Sequence, residues 1–255
     1  FYTRHFSRRM RAIMDSMHTI QKGNYDQKVS VGGNDELTLL ANEFNDLTER
    51  LQTSEEKRRR FVSDASHELK TPLASIKLLT DSILQNDMDT ETMREFVEDI
   101  GSEAERLNRM TAKLLSLTRV DGQMVSESEL IRMAPTIRQV AKMLGPVAEK
   151  SGVELELRLE EDSTVLITRD DLYQIVFNLI ENGIKYNRPQ GRVTVSLRKT
   201  TDLAKLTVTD TGMGIPPEAL DHIFERFYRV DKDRSRQTGG SGLGLAIVRA
   251  IVQRN

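Results

Sequence analysis

The sequence predicts a helical relay and a two-helix hairpin followed by an α/β sandwich domain, and three observations carry that fold class. Apolar residues recur at three- and four-residue steps through most of residues 8–117, which is the spacing of one helix face. Beyond RVDGQM (119–124), short runs of strict alternation are interspersed with helical stretches, as in a mixed domain. Two glycine-rich loops, DTGMG (210–214) and GGSGLG (239–244), lie in this second part.

Composition bounds the function. A chain of 255 residues can hold two or three small domains. Its 37 Lys and Arg stand against 39 Asp and Glu, so no overall positive field draws it to nucleic acid. The lack of cysteine excludes disulfides and thiolate-bound metal, and fits a reducing compartment. The N-terminal stretch FYTRHFSRRMRAIMDSM is too interrupted by charge for a signal peptide, and no apolar run reaches a membrane span, so the chain is expected to be soluble.

The first helix is expected from Ile13, Met17 and Ile20, and the second from Leu37, Leu40, Phe44, Leu47 and Leu51, on either side of the loop GNYDQKVSVGGNDE. One short helix cannot cover either stripe, so a parallel bundle across two chains is expected. Neither glycine nor proline interrupts the chain between Asp35 and Pro72, which predicts a nearly unbroken helix from about Asp35 onward. Phe61, Ala65, Leu69, Leu73, Ile76, Leu79 and Ile83 form its later seam. After the polar turn QNDMDT a second seam runs through Met93, Val97, Ile100, Ala104, Leu107, Met110, Leu114 and Leu117. The pair reads as an antiparallel hairpin whose wide seams call for a four-helix bundle in a homodimer.

In the second part, Pro135–Lys150 reads as a helix with proline in its first turn. VELELRL (153–159), STVLIT (163–168), RVTVSLRK (192–199) and AKLTVTD (204–210) read as strands. RDDLYQIVFNLIENGIKY is an amphipathic helix with Leu172, Ile175, Leu179 and Ile180 on or near one face.

Within SHELKTPL (66–73), His67 lies about 160° round the helix from both Ala65 and Leu69 of the seam, so its imidazole is expected in solvent. Thr71, four residues on, is about 40° round the same helix, and Glu68 is adjacent. A carboxylate that accepts one ring proton fixes the tautomer and leaves the other nitrogen free to attack. Pro72 removes a hydrogen bond in the histidine's own turn and is expected to make the helix compliant there. HExxH zinc chemistry is excluded, because Thr71 stands where the second histidine would be.

No Walker A motif is present, and GGSGLGLAI departs from a Rossmann fingerprint because no strand precedes it and its glycine spacing is short. Asp210 ends an alternating strand, where a carboxylate can meet an amino group and Gly212 and Gly214 let backbone approach a flat base. GGSGLG opens a helix, where free N–H groups and the dipole favour phosphate. Asn178, Asn182 and Lys185 share a helix face. Amide oxygen there suits magnesium held mainly by phosphates, and the ammonium suits phosphate charge.

SHELKTPL resembles the phospho-acceptor box of the sensor histidine kinases of two-component systems. NLIENGIKYN, DTGMG, HIFERFYR and GGSGLGLA, in this order, resemble their catalytic ATP-binding domain of the Bergerat or GHKL type. Residues 8–54, with NDEL opening a second helix, resemble a HAMP relay. The resemblance implies a HAMP-like module over 1–54, a dimerisation and phosphotransfer hairpin over 55–121 and a catalytic domain over 122–255. That domain is expected to be truncated at its C-terminus, because the family's continues into a closing strand pair.

By the same resemblance, Asn182 ligates Mg2+, and Asn178, Lys185 and Tyr186 line the ATP phosphates. Asp210 binds the adenine amino group, and Gly212 and Gly214 shape the base pocket. Phe224 and Phe227 anchor a lid, Arg229 senses the terminal phosphate, and Gly240, Ser241, Gly242 and Gly244 cradle the phosphates. His67 is the implied acceptor, with Glu68 as base and Thr71 positioning water for the reverse reaction. The implied partner is a response regulator receiver domain, and the implied parent is a bacterial inner-membrane protein whose membrane and sensor segments lie upstream of this cytoplasmic portion.

Overall fold

The computed structural model describes residues 2–26, 28–33, 35–121, 128–200, 203–230 and 240–255. Asn34 of NDEL, residues 122–124 of RVDGQM and Gly239 lie outside these. The chain divides into two compact units, residues 1–67 and 68–255. Among the described residues no helix is long and apolar enough to cross a membrane.

In the first unit, helix α1 (Tyr2–Gln21) is followed by an extended connector and by α2 (Glu36–Gln85), which runs beyond the unit. The connector supplies the core that neither helix provides alone. Val29 and Val31 alternate inward onto Ile13, Leu37 and Ala41, with Met10 and Phe44 packed alongside. Asn45 holds the connector by accepting from the Val29 N–H at 2.8 Å and donating to the Val29 carbonyl at 2.9 Å.

At the start of α2, both terminal nitrogens of Arg9 donate to the Asp35 carboxylate at 2.5 Å, and one also donates to Thr38 Oγ1 at 3.1 Å. Asp35 in turn accepts from the Thr38 N–H at 3.3 Å, as a helix cap does. The Arg9 hydrogen bonds hold the Asp35 carboxyl well below the usual carboxylate range. A side chain at Gly33 would meet the Arg9 guanidinium, 2.8 Å from its Cβ, and φ there is +138°. The expected stripes are therefore only partly filled within one chain: Ile13, Leu37 and Phe44 pack internally, whereas Met17, Leu40, Leu47 and Leu51 are exposed.

The second unit begins within α2, which passes through Pro72 as one helix and buries that proline. Helix α3 (Thr90–Asp121) follows, capped by Asp89, which accepts from the Thr92 N–H at 2.8 Å. The α3 seam is buried at Met110 and Leu117 and exposed at Met93 and Val97.

Beyond it come β1 (Glu129–Arg132), α4 (Met133–Lys150), β2 (Glu154–Leu159), β3 (Thr164–Ile167), α5 (Arg169–Lys185), β4 (Arg192–Lys199), β5 (Ala204–Asp210), a 3-10 turn at Pro217–Ala219 and α6 (Gly244–Arg254). The main sheet has the order β2-β4-β5, with β2 parallel to β4 and β4 antiparallel to β5. Val193, Val195 and Leu197 point from β4 into the core and are fully buried, while Thr194, Ser196 and Arg198 take the other face.

Helices α4, α5 and α6 supply the second layer. Helix α5 buries Leu172, Val176, Ile180 and Ile184, a stripe at four-residue steps that leaves Ile175 and Leu179 only half-buried. Thr168 caps α5 by accepting from the Asp171 N–H at 3.1 Å, and the Asp171 carboxylate pairs with Arg254 of α6. Strand β1 was not foreseen. It is four residues long, and β3 pairs with it as a separate two-stranded sheet instead of joining the main one.

Leu197→Ala empties part of a fully buried layer and is expected to cost about 2–5 kcal/mol, measured as a lower urea midpoint with an unchanged transition slope.

Candidate functional site

The polar face of α5 is where the second unit's candidate binding residues gather. Its apolar stripe is committed to the core, so Asn178, Asn182 and Lys185 emerge along one other edge, and Tyr186 caps the helix. Asn178 is buried, its Nδ2 donating back to the Gln174 carbonyl at 2.7 Å. Its Oδ1 is buried with no hydrogen-bond partner among the described residues, an arrangement that costs free energy until a ligand, ion or water supplies a donor or positive charge.

The second glycine loop closes over this edge. A Cβ on Gly244 would lie 3.0 Å from Asn178 Oδ1 and 3.7 Å from Asn182 Nδ2. One on Gly240 would lie 2.8 Å from Tyr186 Oη and 2.9 Å from Lys185 Nζ. These glycines let backbone approach the α5 side chains at distances where a Cβ would force a neighbour to shift. Gly242 adopts φ +65° against the backbone of Phe227, which itself sits at φ +62° and donates its N–H to the Gly242 carbonyl at 3.0 Å. Ser241 Oγ is a second buried polar atom with no hydrogen-bond partner among the described residues.

The first glycine loop is reached from the end of β5. Asp210 is exposed, and its Oδ1 accepts from the Gly212 N–H at 2.8 Å. Gly212 packs against the Tyr186 carbonyl, which accepts from the Met213 N–H at 3.2 Å, and Gly214 turns the chain at φ +72°. Phe224 lies beneath the Arg249 guanidinium, 5.8 Å from its ring centre. The structure thus brings Asn178, Asn182, Lys185, Tyr186, Asp210, Gly212, Phe227, Gly240, Gly242 and Gly244 into one connected set of contacts.

Electrostatics sharpen the picture. Burial pushes the Lys185 ammonium down to about 8, Glu181 opposes that shift, and the charges of Lys113, Arg229 and Arg106 reinforce it. Burial also raises the Tyr186 phenol. The charge of Arg229, from HIFERFYR, thus acts on Lys185. Two contacts were not legible in the sequence: Lys113 of α3 donates to Glu181 of α5 at 3.1 Å, and Ser116 donates to Gln174 at 2.8 Å.

Among the described residues no group of three or more His, Asp or Glu side chains could hold a metal unaided. The amide oxygens of Asn178 and Asn182 fit a cation that is mostly ligated by phosphate and water. His67, Glu68 and Thr71 are brought together by α2 itself: His67 and Thr71 are exposed, and Glu68 is half-buried.

Comparison with known proteins agrees with this geometry along the chain. Residues 1–53 match the HAMP domain, residues 57–123 the His Kinase A (phospho-acceptor) domain, and residues 167–255 the Histidine kinase-, DNA gyrase B-, and HSP90-like ATPase family. The sensor-like histidine kinase SenX3 of Mycobacterium tuberculosis (strain ATCC 25618 / H37Rv) is 38% identical over 201 residues, covering 76% of this chain and 48% of SenX3. The sensor histidine kinase YkoH of Bacillus subtilis (strain 168) is 34% identical over 248 residues, 95% of this chain and 53% of YkoH. Among solved structures, full-length ShkA in complex with AMPPNP aligns with a TM-score of 0.53 at 27% identity, covering 76% of this chain and 41% of ShkA. The chain spans about half the length of the curated relatives it matches. With a phospho-acceptor helix, an ATPase-type domain and a HAMP segment in this order, the chain belongs to the sensor histidine kinases of two-component signalling systems.

Proposed function

We propose that this chain is the signalling portion of a sensor kinase that phosphorylates His67 from ATP and passes the phosphoryl group to an aspartate of a response regulator. The observation that carries the reading is the convergence of the asparagine helix, the Asp210 turn and the Gly240–Gly244 loop into one connected set of contacts, in a chain whose α2 exposes His67. AMPPNP, an ATP analogue, is bound by ShkA, a structural relative.

In this mechanism the exposed Asp210 carboxylate accepts from the adenine amino group, with Gly212 and Gly214 leaving space for the base. Lys185, Tyr186, Arg229 and the N–H groups of Gly240, Ser241, Gly242 and Gly244 hold the phosphates. Asn182, with Asn178 beside it, would hold Mg2+, which neutralises phosphate charge when bound. His67 Nε2 attacks the γ-phosphorus, an N–P bond forms, and the P–O bond to ADP breaks with its electron pair on the leaving oxygen. Glu68 holds the proton on the other ring nitrogen and stabilises the charge that develops there. Thr71, one turn along, orients water for dephosphorylation of the regulator.

A homodimer is part of this proposal. The exposed Leu40, Leu47 and Leu51 on α2, and Met93 and Val97 on α3, are stripes that a second copy would cover. The named relatives are sensor kinases, so a membrane-anchored parent with its sensor elsewhere in the longer protein fits the same reading.

Three outcomes test it. Incubation with γ-labelled ATP should give protein-bound label that is lost in acid, kept in base and absent from His67→Ala. ATP turnover to free phosphate without phosphoprotein would instead mark an ATPase module, and no ATP binding would mark a relay without a kinase. Thr71→Ala should slow regulator dephosphorylation while leaving autophosphorylation in place, read by following phosphoregulator decay. Because Lys185 carries its proton below about 8 and loses it above, ATP affinity should weaken as pH rises through that value, measured by titration calorimetry across the range.

A further inference from the structure

We propose that the second hairpin helix completes the polyphosphate site, with Lys113 and Arg106 of α3 supplying positive charge to the terminal phosphates of nucleotide bound beside Lys185. This rests on the reading of the cleft as an ATP site and adds a second structural element to it.

The inference starts from one face of α3. Arg106, Met110, Lys113 and Leu117 follow at steps of four, three and four, so they form a single stripe of alternating cationic and apolar residues. The apolar members are buried, Met110 at 4% and Leu117 at 0% exposure, and α3 packs against α6, the helix opened by the glycine loop. The stripe is therefore docked on the ATPase domain, and its cations are carried inward with it. The side chains of Arg106 and Lys113 are only 20% and 24% exposed.

Lys113 is directed at α5. Its Nζ donates to Glu181 at 3.1 Å, one turn before Lys185, and Ser116 fixes the approach through Gln174 at 2.8 Å. Lys185 in turn lies against Gly240 of the phosphate loop. Both Arg106 and Lys113 are close enough to Lys185 to lower its proton affinity, as is Arg229. Lys113, Arg106 and Arg229 thus all act on Lys185, while Glu181 holds Lys113 at 3.1 Å and Glu103 holds Arg106 at 3.4 Å. Cations gathered in a half-buried place repel one another, and that cost falls when a multiply charged anion arrives. Lys113 uses one of its three donors on Glu181, and its flexible stem can present the others to a phosphate.

The alternative is that Lys113 and Glu181 only hold the two elements together, and phosphate selectivity separates the two ideas. Binding of ATP, ADP and adenosine is measured on the whole chain for the parent, Lys113→Met, Lys113→Arg and Arg106→Met, with thermal midpoints to confirm folding. The proposal expects Lys113→Met to bind ATP about tenfold more weakly, ADP less affected, adenosine unchanged, and Lys113→Arg to recover most of the loss. Arg106→Met should act in the same direction. Equal losses for ATP and adenosine, or no loss in either methionine variant, would overturn it while leaving parent ATP binding intact. Failure of the parent itself to bind ATP would instead remove the underlying reading of the cleft.

Discussion

The candidate site depends on a division of labour around helix α5. Leu172, Val176, Ile180 and Ile184 are buried and fix the helix's rotation against β4 and β5. Once that rotation is set, the positions of Asn178, Asn182 and Lys185 follow from 100° per residue, without separate interactions to hold each one. Gly183 shows how tight the fit is, because a Cβ there would sit 3.2 Å from both methyls of Val193. The glycine that costs helix propensity is thus the residue that lets the helix lie close to the sheet.

Much of this was readable from residue types and spacing. Each strand of the main sheet shows clean alternation, and α5 shows a polar edge beside an apolar stripe, so their existence and their two faces follow from periodicity. The glycines at 240, 242 and 244 gave a loop opening a helix, although their reason is more specific than phosphate access. Each makes room for a named partner: Lys185 and Tyr186, Phe227, or Asn178.

What could not be read were pairings between distant segments. Strand β1 has only four residues and exposes Leu130 opposite Leu166, so no alternation of burial announces it. Lys113 and Glu181 are ordinary charged residues on amphipathic helices, and nothing local distinguishes them from solvated ones. The apolar stripe of α2 was visible, but its split between internal and exposed members was not. Val29 and Val31 of the connector take places that a second helix would otherwise fill.

The 50 residues of α2 form one unbroken helix, and each residue advances its phase by about 100°. Removing one residue between Gln52 and Phe61 would swing the azimuth of every later side chain by about 100°, His67 among them. Removing seven would leave it within about 20°. Tolerance of the helix to deletions should therefore be periodic in their number, and the heptad, not the total length, is the unit in which this segment can evolve.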